Sequence, residues 1–479
     1  MILNKKHLWL FAILCCHAFS LPAQAADSLR ITTRLDSLVE KHLPQGSEAG
    51  ICVYDLTARK SLYSYRADKL SHPASTMKLL TAITALSMPD ADHPFRTEVW
   101  YRGEVKRDTL RGDLYVVGGF DPEFDNAALD SLSRTVARRA PFHTVNGRIL
   151  GDVSLKDSLY WGSGWLWDDN PASFQPYLSP LMLAKGVLTV TAIPNEKGDT
   201  ATLFCMPSSS YYKVANRTCS RTPAAGRFEV TRNWLEGGNE VTVSGNVNGA
   251  RVGSINLAVS ERFFMHTFVE RLQRDSLWAT EPGYAFGILR QDSLAHLLAA
   301  YETPLQTVLN QMMKKSDNLN AEALLCRLGA QVTGHRHVSV HDGLKAMHSL
   351  IKHLGLKSDG YNLADGCGLS NYNFVSPELL VAFLRYAYSR TDIFRKLYKA
   401  LPVSGMDGTL RYRMRKGSPA YRRVHAKTGS FTGINCLAGY IETTEGHLLA
   451  FAIMNQNVLS ARQARAFQDR ICEAIVQGQ

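Results

Sequence analysis

The chain has 479 residues, 45% of them hydrophobic and 20% charged, with a formal net charge of +11. Such a length exceeds one ordinary core and predicts two or more domains, and the composition excludes a disordered or low-complexity chain. The basic excess comes without a basic run interleaved with aromatics, so no nucleic-acid partner is read from it.

Residues 1–25 read as a secretory signal peptide: Lys5 and Lys6, an apolar run over 8–19, then Ala23-Gln24-Ala25 as a small-x-small cleavage site. The apolar run is too short to span a bilayer comfortably and no later segment is apolar enough, which predicts an exported, periplasmic protein with no integral membrane segment. After cleavage seven cysteines remain (Cys52, Cys205, Cys219, Cys326, Cys367, Cys436 and Cys472), an odd number that leaves at least one free thiol. Cys205 and Cys219 flank a short polar segment and are the best-placed pair for a bridge.

Helical periodicity runs over 29–43, followed by a strand at 49–56 and a hairpin partner at 61–65. Directly after them comes Pro73-Ala74-Ser75-Thr76-Met77-Lys78, opening an almost wholly apolar helix that begins near Ser75 and ends at Pro89. Residues three apart share a helical face, so the Ser75 hydroxyl and the Lys78 amine can meet. Burial would strip Lys78 of its proton near neutral pH and make it a base for a serine nucleophile at a helix N-terminus. Ser-x-x-Lys recurs at Ser210-Lys213 and Ser349-Lys352, but only Ser75 has a buried helix behind it and a free N-terminus before it.

From residue 91 to 255 short alternating strands (97–101, 113–117, 148–154, 187–193, 200–204, 240–247) are separated by Gly, Asn, Asp and Pro turns, with one clear helix at 127–139. This predicts a β-rich insert of two small domains. Within it Gly164-Trp165-Leu166-Trp167-Asp168-Asp169 is either a packed loop or a wall against which substrate lies. Helices return at 261–274, 305–315, 320–331 and 340–353, and the chain turns β again at 424–428, 436–442 and 447–454. The last helix, 461–476, carries a narrow stripe of Phe467, Ile471 and Ile475, read as packing on its own sheet rather than docking a membrane. The expected division is a first part at 26–90, the insert at 91–255 and a second part at 256–479, with one sheet built from both ends of the chain.

Two later motifs give the Ser75 helix its meaning. Ser316-Asp317-Asn318 lies at a helix–helix corner, where a hydroxyl can relay protons and an amide can fix Lys78 and a substrate carbonyl. The matches Ser244-Gly245-Asn246 and Ser254-Ile255-Asn256 fall in strand-like segments instead. Lys427-Thr428-Gly429-Ser430 reads as a strand whose glycine admits a substrate backbone. Lys427 there supplies charge for a substrate carboxylate and holds Lys78 neutral by repulsion, while the Ser75 and Ser430 N–H groups can form an oxyanion hole.

This ordered triple is shared by β-lactamases and penicillin-binding proteins. The chain resembles the D-alanyl-D-alanine carboxypeptidase/endopeptidases of the class C low-molecular-mass penicillin-binding proteins. The likeness covers nearly the whole mature sequence and includes Ala364-Asp365-Gly366, Gly368-Leu369-Ser370 and the run from Leu401-Pro402 to Thr409-Leu410. It implies an α+β fold: a penicillin-binding-protein/β-lactamase-like transpeptidase domain, an antiparallel sheet flanked by helices, interrupted by β-rich insert domains. The implied activity is serine D,D-peptidase action on peptidoglycan stem peptides through a Ser75 acyl-enzyme, with β-lactam antibiotics acylating the same serine and no metal or organic cofactor. Ser75, Lys78, Ser316, Asn318 and Lys427 are the implied catalytic set, and Thr428, Gly429, Ser430, Asp169 and Asn371 the substrate-binding set. Two positions depart from the family: Cys367 stands where serine is common, giving an oxidisable thiol near the cleft, and Asn371 stands where arginine reads an acidic group on the diamino acid.

Three rival readings are a β-lactamase, a penicillin-binding sensor or wall scaffold, and a secreted zinc enzyme. The first lacks a deacylation base, the second is at odds with an intact triple, and the third rests on His335, His337 and His341 in a polar loop. Oligomeric state is left open.

Overall fold

The strands at the two ends of the chain meet in one antiparallel sheet, ordered Val424–Phe431, Gly433–Glu442, Leu448–Val458, Glu48–Asp55, Lys60–Tyr65. This computed structural model describes residues 23–334 and 336–478, with side chains from Arg30 onward. The proposed signal segment over 1–22, and His335 of the histidine cluster, lie outside the described residues. Ala23, Gln24 and Ala25 fall at the start of the Ala23–His42 helix.

Side-chain alternation decides what covers each face of this sheet. Ile51, Val53, Leu437, Ile441, Phe451 and Ile453 point to the layer formed by the Ala23–His42 and Ala461–Val476 helices, where Ile31, Leu35, Phe467, Ile471 and Ile475 are buried. The apolar stripe of the last helix therefore packs on its own sheet. Cys52, Cys436, Ala438, Tyr440, Ala452 and Met454 point the other way, onto the Met77–Ser87 helix and the helices around it. That helix has no solvent face among its first ten residues, from Met77 to Leu86, because the Asn318–Thr333, Val340–His353 and Pro377–Ser389 helices enclose what the sheet does not. An apolar helix of this kind is a core element, and its polar residues are held there by partners rather than by water.

The β-rich insert extends further than its expected limit at residue 255. Ala295–Thr303 pairs antiparallel with Phe95–Lys106 in a seven-stranded sheet, with Thr303 opposite Phe95. The Ser260–Arg274 helix buries Phe263, Phe264, Met265 and Phe268 in the same core as Val99, Leu114, Val116 and Leu129. Its period of 3.6 is indistinguishable from that of the later helices, so periodicity alone does not assign it to either body. We place the end of the insert at Thr303. Two three-stranded sheets complete it, and Cys205 and Cys219 sit in different ones, both as free thiols.

Candidate active site

Chain geometry at Pro73–Lys78 is tighter than the expected helix start. Ala74 has a left-handed φ of 45°, Ala74–Thr76 forms a 3-10 turn closed by Thr76 Oγ1 donating to the Pro73 carbonyl at 2.6 Å, and the α-helix begins only at Met77. Ser75 thus projects from the turn, while Lys78, one residue into the helix, is 0% exposed.

Lys78 Nζ has three partners: Ser75 Oγ at 3.0 Å, Asn318 Oδ1 at 2.7 Å and the Cys367 carbonyl at 2.7 Å. The last two can only accept. A neutral amine satisfies both with its two N–H groups and leaves its lone pair for the Ser75 hydroxyl proton. Burial holds the Lys78 pKa below the ordinary lysine value, and the nearby Cys367, Asp365, Asp317 and Glu322 act against that shift. Asn318 is oriented from its other side, since Nδ2 donates to the Phe174 carbonyl of the insert at 2.8 Å. It opens the Asn318–Thr333 helix, whose N-cap Asp317 accepts from Asn320 N at 3.1 Å.

The third motif lies across the cleft. Lys427 Nζ donates to Ser316 Oγ and to the Thr428 carbonyl, both at 2.7 Å. Ser316 reaches it from a left-handed corner, φ 62°. Gly429 is obligatory at its position: a Cβ there would lie 2.8 Å from the Pro73 carbonyl and 3.0 Å from Ser75 N. The strand edge and the serine turn are thus pressed together, with Ser75, Ser316, Thr409, Thr428, Gly429 and Ser430 lining one cleft of about 280 Å³. Thr428 Oγ1 and Thr409 Oγ1 are 2.8 Å apart within it.

Asp169 and Asn371 are not among the residues lining that cleft. Their loops do touch: Asn371 N donates to the Gly164 carbonyl at 3.2 Å, and Trp165 Nε1 donates to Asp365 Oδ2 at 2.9 Å. Asp169 is half-buried, and burial followed by repulsion from Asp168 raises its pKa. Lys427 is 0% exposed, and burial with repulsion from Lys78 holds its pKa well below the ordinary lysine value. Cys367 is likewise sealed; burial and the Asp365 and Glu322 carboxylates push its thiol pKa well up. It serves the site through its carbonyl.

That carbonyl is aimed by groups the motifs do not contain. Glu322 Oε1 accepts from Gly366 N at 2.9 Å and Cys367 N at 2.8 Å, and Asp365 accepts from Gly368 N, Ser370 N and Asn373 Nδ2 at 2.7–2.8 Å. The two acids and the Cys367 thiol form a compact cluster, but with its polar atoms committed to these turns it reads as a clamp.

A serine and a buried lysine joined in this way, with a serine–asparagine corner and a lysine strand facing them, belong to acyl transfer. A family model described as the D-Ala-D-Ala carboxypeptidase 3 (S13) family matches residues 31–477. The chain belongs to this family. It is an enzyme, a serine D,D-peptidase of peptidoglycan stem peptides and a penicillin-binding protein. This S13 peptidase is 30% identical to the D-alanyl-D-alanine carboxypeptidase of Actinomadura sp. (strain R39), over 94% of this chain and 85% of that one. It is 26% identical to D-alanyl-D-alanine carboxypeptidase DacB of Haemophilus influenzae, over 91% and 89%. Its fold matches the crystal structure of penicillin binding protein 4 (dacB) from Haemophilus influenzae with a TM-score of 0.77 at 24% identity, covering 92% of this chain and 98% of that one. The expected fold, a transpeptidase-type sheet flanked by helices and interrupted by a β-rich insert, is thus the fold the peptidase adopts.

Proposed function

We propose that Ser75 attacks the carbonyl of the penultimate D-alanine of a stem peptide, or of a D-centred cross-link, with Lys78 taking its proton. The single observation that carries this reading is the set of three contacts on Lys78 Nζ, two to obligate acceptors and one to Ser75 Oγ. The tetrahedral oxyanion is stabilised by the backbone N–H groups of Ser75 and Ser430, which Gly429 allows to approach each other. The proton returns to the departing amine from Lys78, along or beside Ser316, whose hydroxyl Lys427 orients. Water then cleaves the Ser75 ester and releases the shortened peptide. Penicillin opens its ring on the same serine and leaves slowly.

Asn318 holds Lys78 and faces the substrate carbonyl, and Thr428, Gly429 and Ser430 receive the substrate backbone. Asp169 and Asn371 lie on touching loops outside that cleft, and in this reading the former meets the amine and the latter the polar end of the diamino-acid side chain. An exported location fits this substrate, which lies outside the cytoplasm, and no described helix is long and apolar enough to cross a membrane. Intact-mass measurement after penicillin treatment tests the reading. The wild type gains one covalent adduct, mapped to Ser75, and Ser75→Ala gains none. Folded wild type with neither adduct nor penicillin hydrolysis would overturn it.

A further inference from the structure

The substrates of this reaction carry a carboxylate on the leaving D-centre, and penicillin carries one in the equivalent place. Lys427, the cation of the third motif, is fully buried and donates to Ser316 Oγ and the Thr428 carbonyl, so it is not exposed to the cleft. Two arginines line the Ser75 cleft, Arg413 and Arg465. Arg413 is spent: it pairs with Asp469 at 2.7 Å and donates to Gln468 Oε1 and to the Arg465 carbonyl. Arg465 is exposed and makes no side-chain hydrogen bond among the described residues; its charge acts on Asp469, which Arg413 already pairs.

Its placement is fixed by the helix that carries it. Gln468, three residues on and therefore on the same face, is buried and donates from Nε2 to the Asn435 carbonyl and to Asn455 Oδ1, both at 3.1 Å. Asn435 Oδ1 in turn accepts from Ser430 Oγ at 3.3 Å. Arg465 and Gln468 thus bring the C-terminal helix to the same cleft that Ser430, Thr428 and Thr409 line.

We propose that Arg465 is a specificity-determining residue that reads the carboxylate of the leaving D-residue, pairing with it through a charge-assisted hydrogen bond while the threonine hydroxyls orient it. Lys427 then acts inside the site, on Ser316 and Lys78, and the selection of a charged substrate end is done by a side chain from outside the three motifs. This rests on the Ser75 acyl-enzyme reading.

The test compares hydrolysis of diacetyl-Lys-D-Ala-D-Ala with that of its C-terminal amide by the mature protein. Arg465→Ala is expected to lower kcat/KM for the free acid about 10- to 100-fold, mainly through KM, and to change the amide less than about 2-fold. Arg465→Lys should recover part of the loss. Equal losses on both peptides, or none on either, would overturn the proposal. If the wild type leaves the amide intact, acylation rates with benzylpenicillin and its methyl ester replace the pair, and the same ratios decide. A wild type without any Ser75 adduct would defeat the acyl-enzyme reading itself; a normal adduct with an indifferent Arg465→Ala would defeat this inference alone.

Discussion

Lys78 Nζ donates to Asn318 Oδ1 at 2.7 Å, a contact that spans 240 residues of sequence and gives the buried amine a neutral acceptor. A neutral amide oxygen accepts from the lysine without adding charge. Asn318→Asp would place a carboxylate there, favour the ammonium form and raise the Lys78 pKa. Since the base must be deprotonated to act, the rise of the acylation rate with pH should move to higher pH by the same amount, and the rate near neutrality should fall. A pH profile of penicillin acylation for both proteins checks this. An acid limb that stays in place, or moves down, contradicts the role given to Lys78.

Gly368 controls how closely its loop approaches the serine turn. Its φ is +80°, and a Cβ would lie 2.0 Å from the Ala74 carbonyl and 2.8 Å from Met77 Cβ. Gly368→Ala should cost about 2–4 kcal/mol, from left-handed strain plus overlap, and should slow acylation by displacing Ser75. Gly355→Ala is the matched control, with φ +77° and no atom within 4 Å of the new Cβ. It should cost about 1 kcal/mol and leave acylation alone. Thermal melts and acylation rates of the two variants separate strain from contact.

Thiol labelling follows burial. Cys326, Cys367, Cys436 and Cys472 are buried, whereas Cys52, Cys205 and Cys219 are partly exposed. Burial pushes the Cys52 thiol up to about 12 and also raises that of the less deeply buried Cys205, so Cys219 and then Cys205 should react first. Peptide mapping after N-ethylmaleimide treatment of the native protein should find label there, with Cys367 labelled only on unfolding. Cys367 modified as fast as Cys219 would contradict the sealed loop.

What the sequence made legible was the part encoded locally. Ser75, Lys78, Ser316, Asn318 and Lys427 sit in short motifs, and the strands at both chain ends carry the period that places them in one sheet. Four things escaped. The carbonyls of Cys367 and Phe174 hold Lys78 and Asn318 across 289 and 144 residues, and a carbonyl has no side-chain signature. The Ser260–Arg274 helix has the same amphipathic period whichever core it joins, so periodicity does not fix the insert boundary. Lys427 reads as an exposed charge in sequence, and its complete burial is visible only in the fold. The reach of Arg465 depends on how the last helix is pinned by Gln468, which no spacing rule contains.

Glu322 provides a pH-dependent stability contribution beneath the site. Burial, then the neighbouring Asp365, raises its pKa from 4.5 to about 7, while its Oε1 accepts from the Gly366 and Cys367 N–H groups. Below pH 4.5 the folded and unfolded chains both hold the proton and the contribution is complete. Between 4.5 and about 7 the unfolded chain releases its proton first, so stability falls; above about 7 both states are ionised and the loss is finished. The change totals roughly 3 kcal/mol over that window. Glu322→Gln keeps a carbonyl oxygen for the two N–H groups and cannot ionise. Denaturation at several pH values should therefore show the wild type losing stability relative to Glu322→Gln from pH 4.5 to about 7, with a constant difference above. A difference that is flat throughout would mean that this carboxyl titrates alike in both states, and the raised pKa would have to be abandoned. Penicillin acylation by Glu322→Gln should persist, because the clamp that aims the Cys367 carbonyl at Lys78 needs an acceptor there and not a charge.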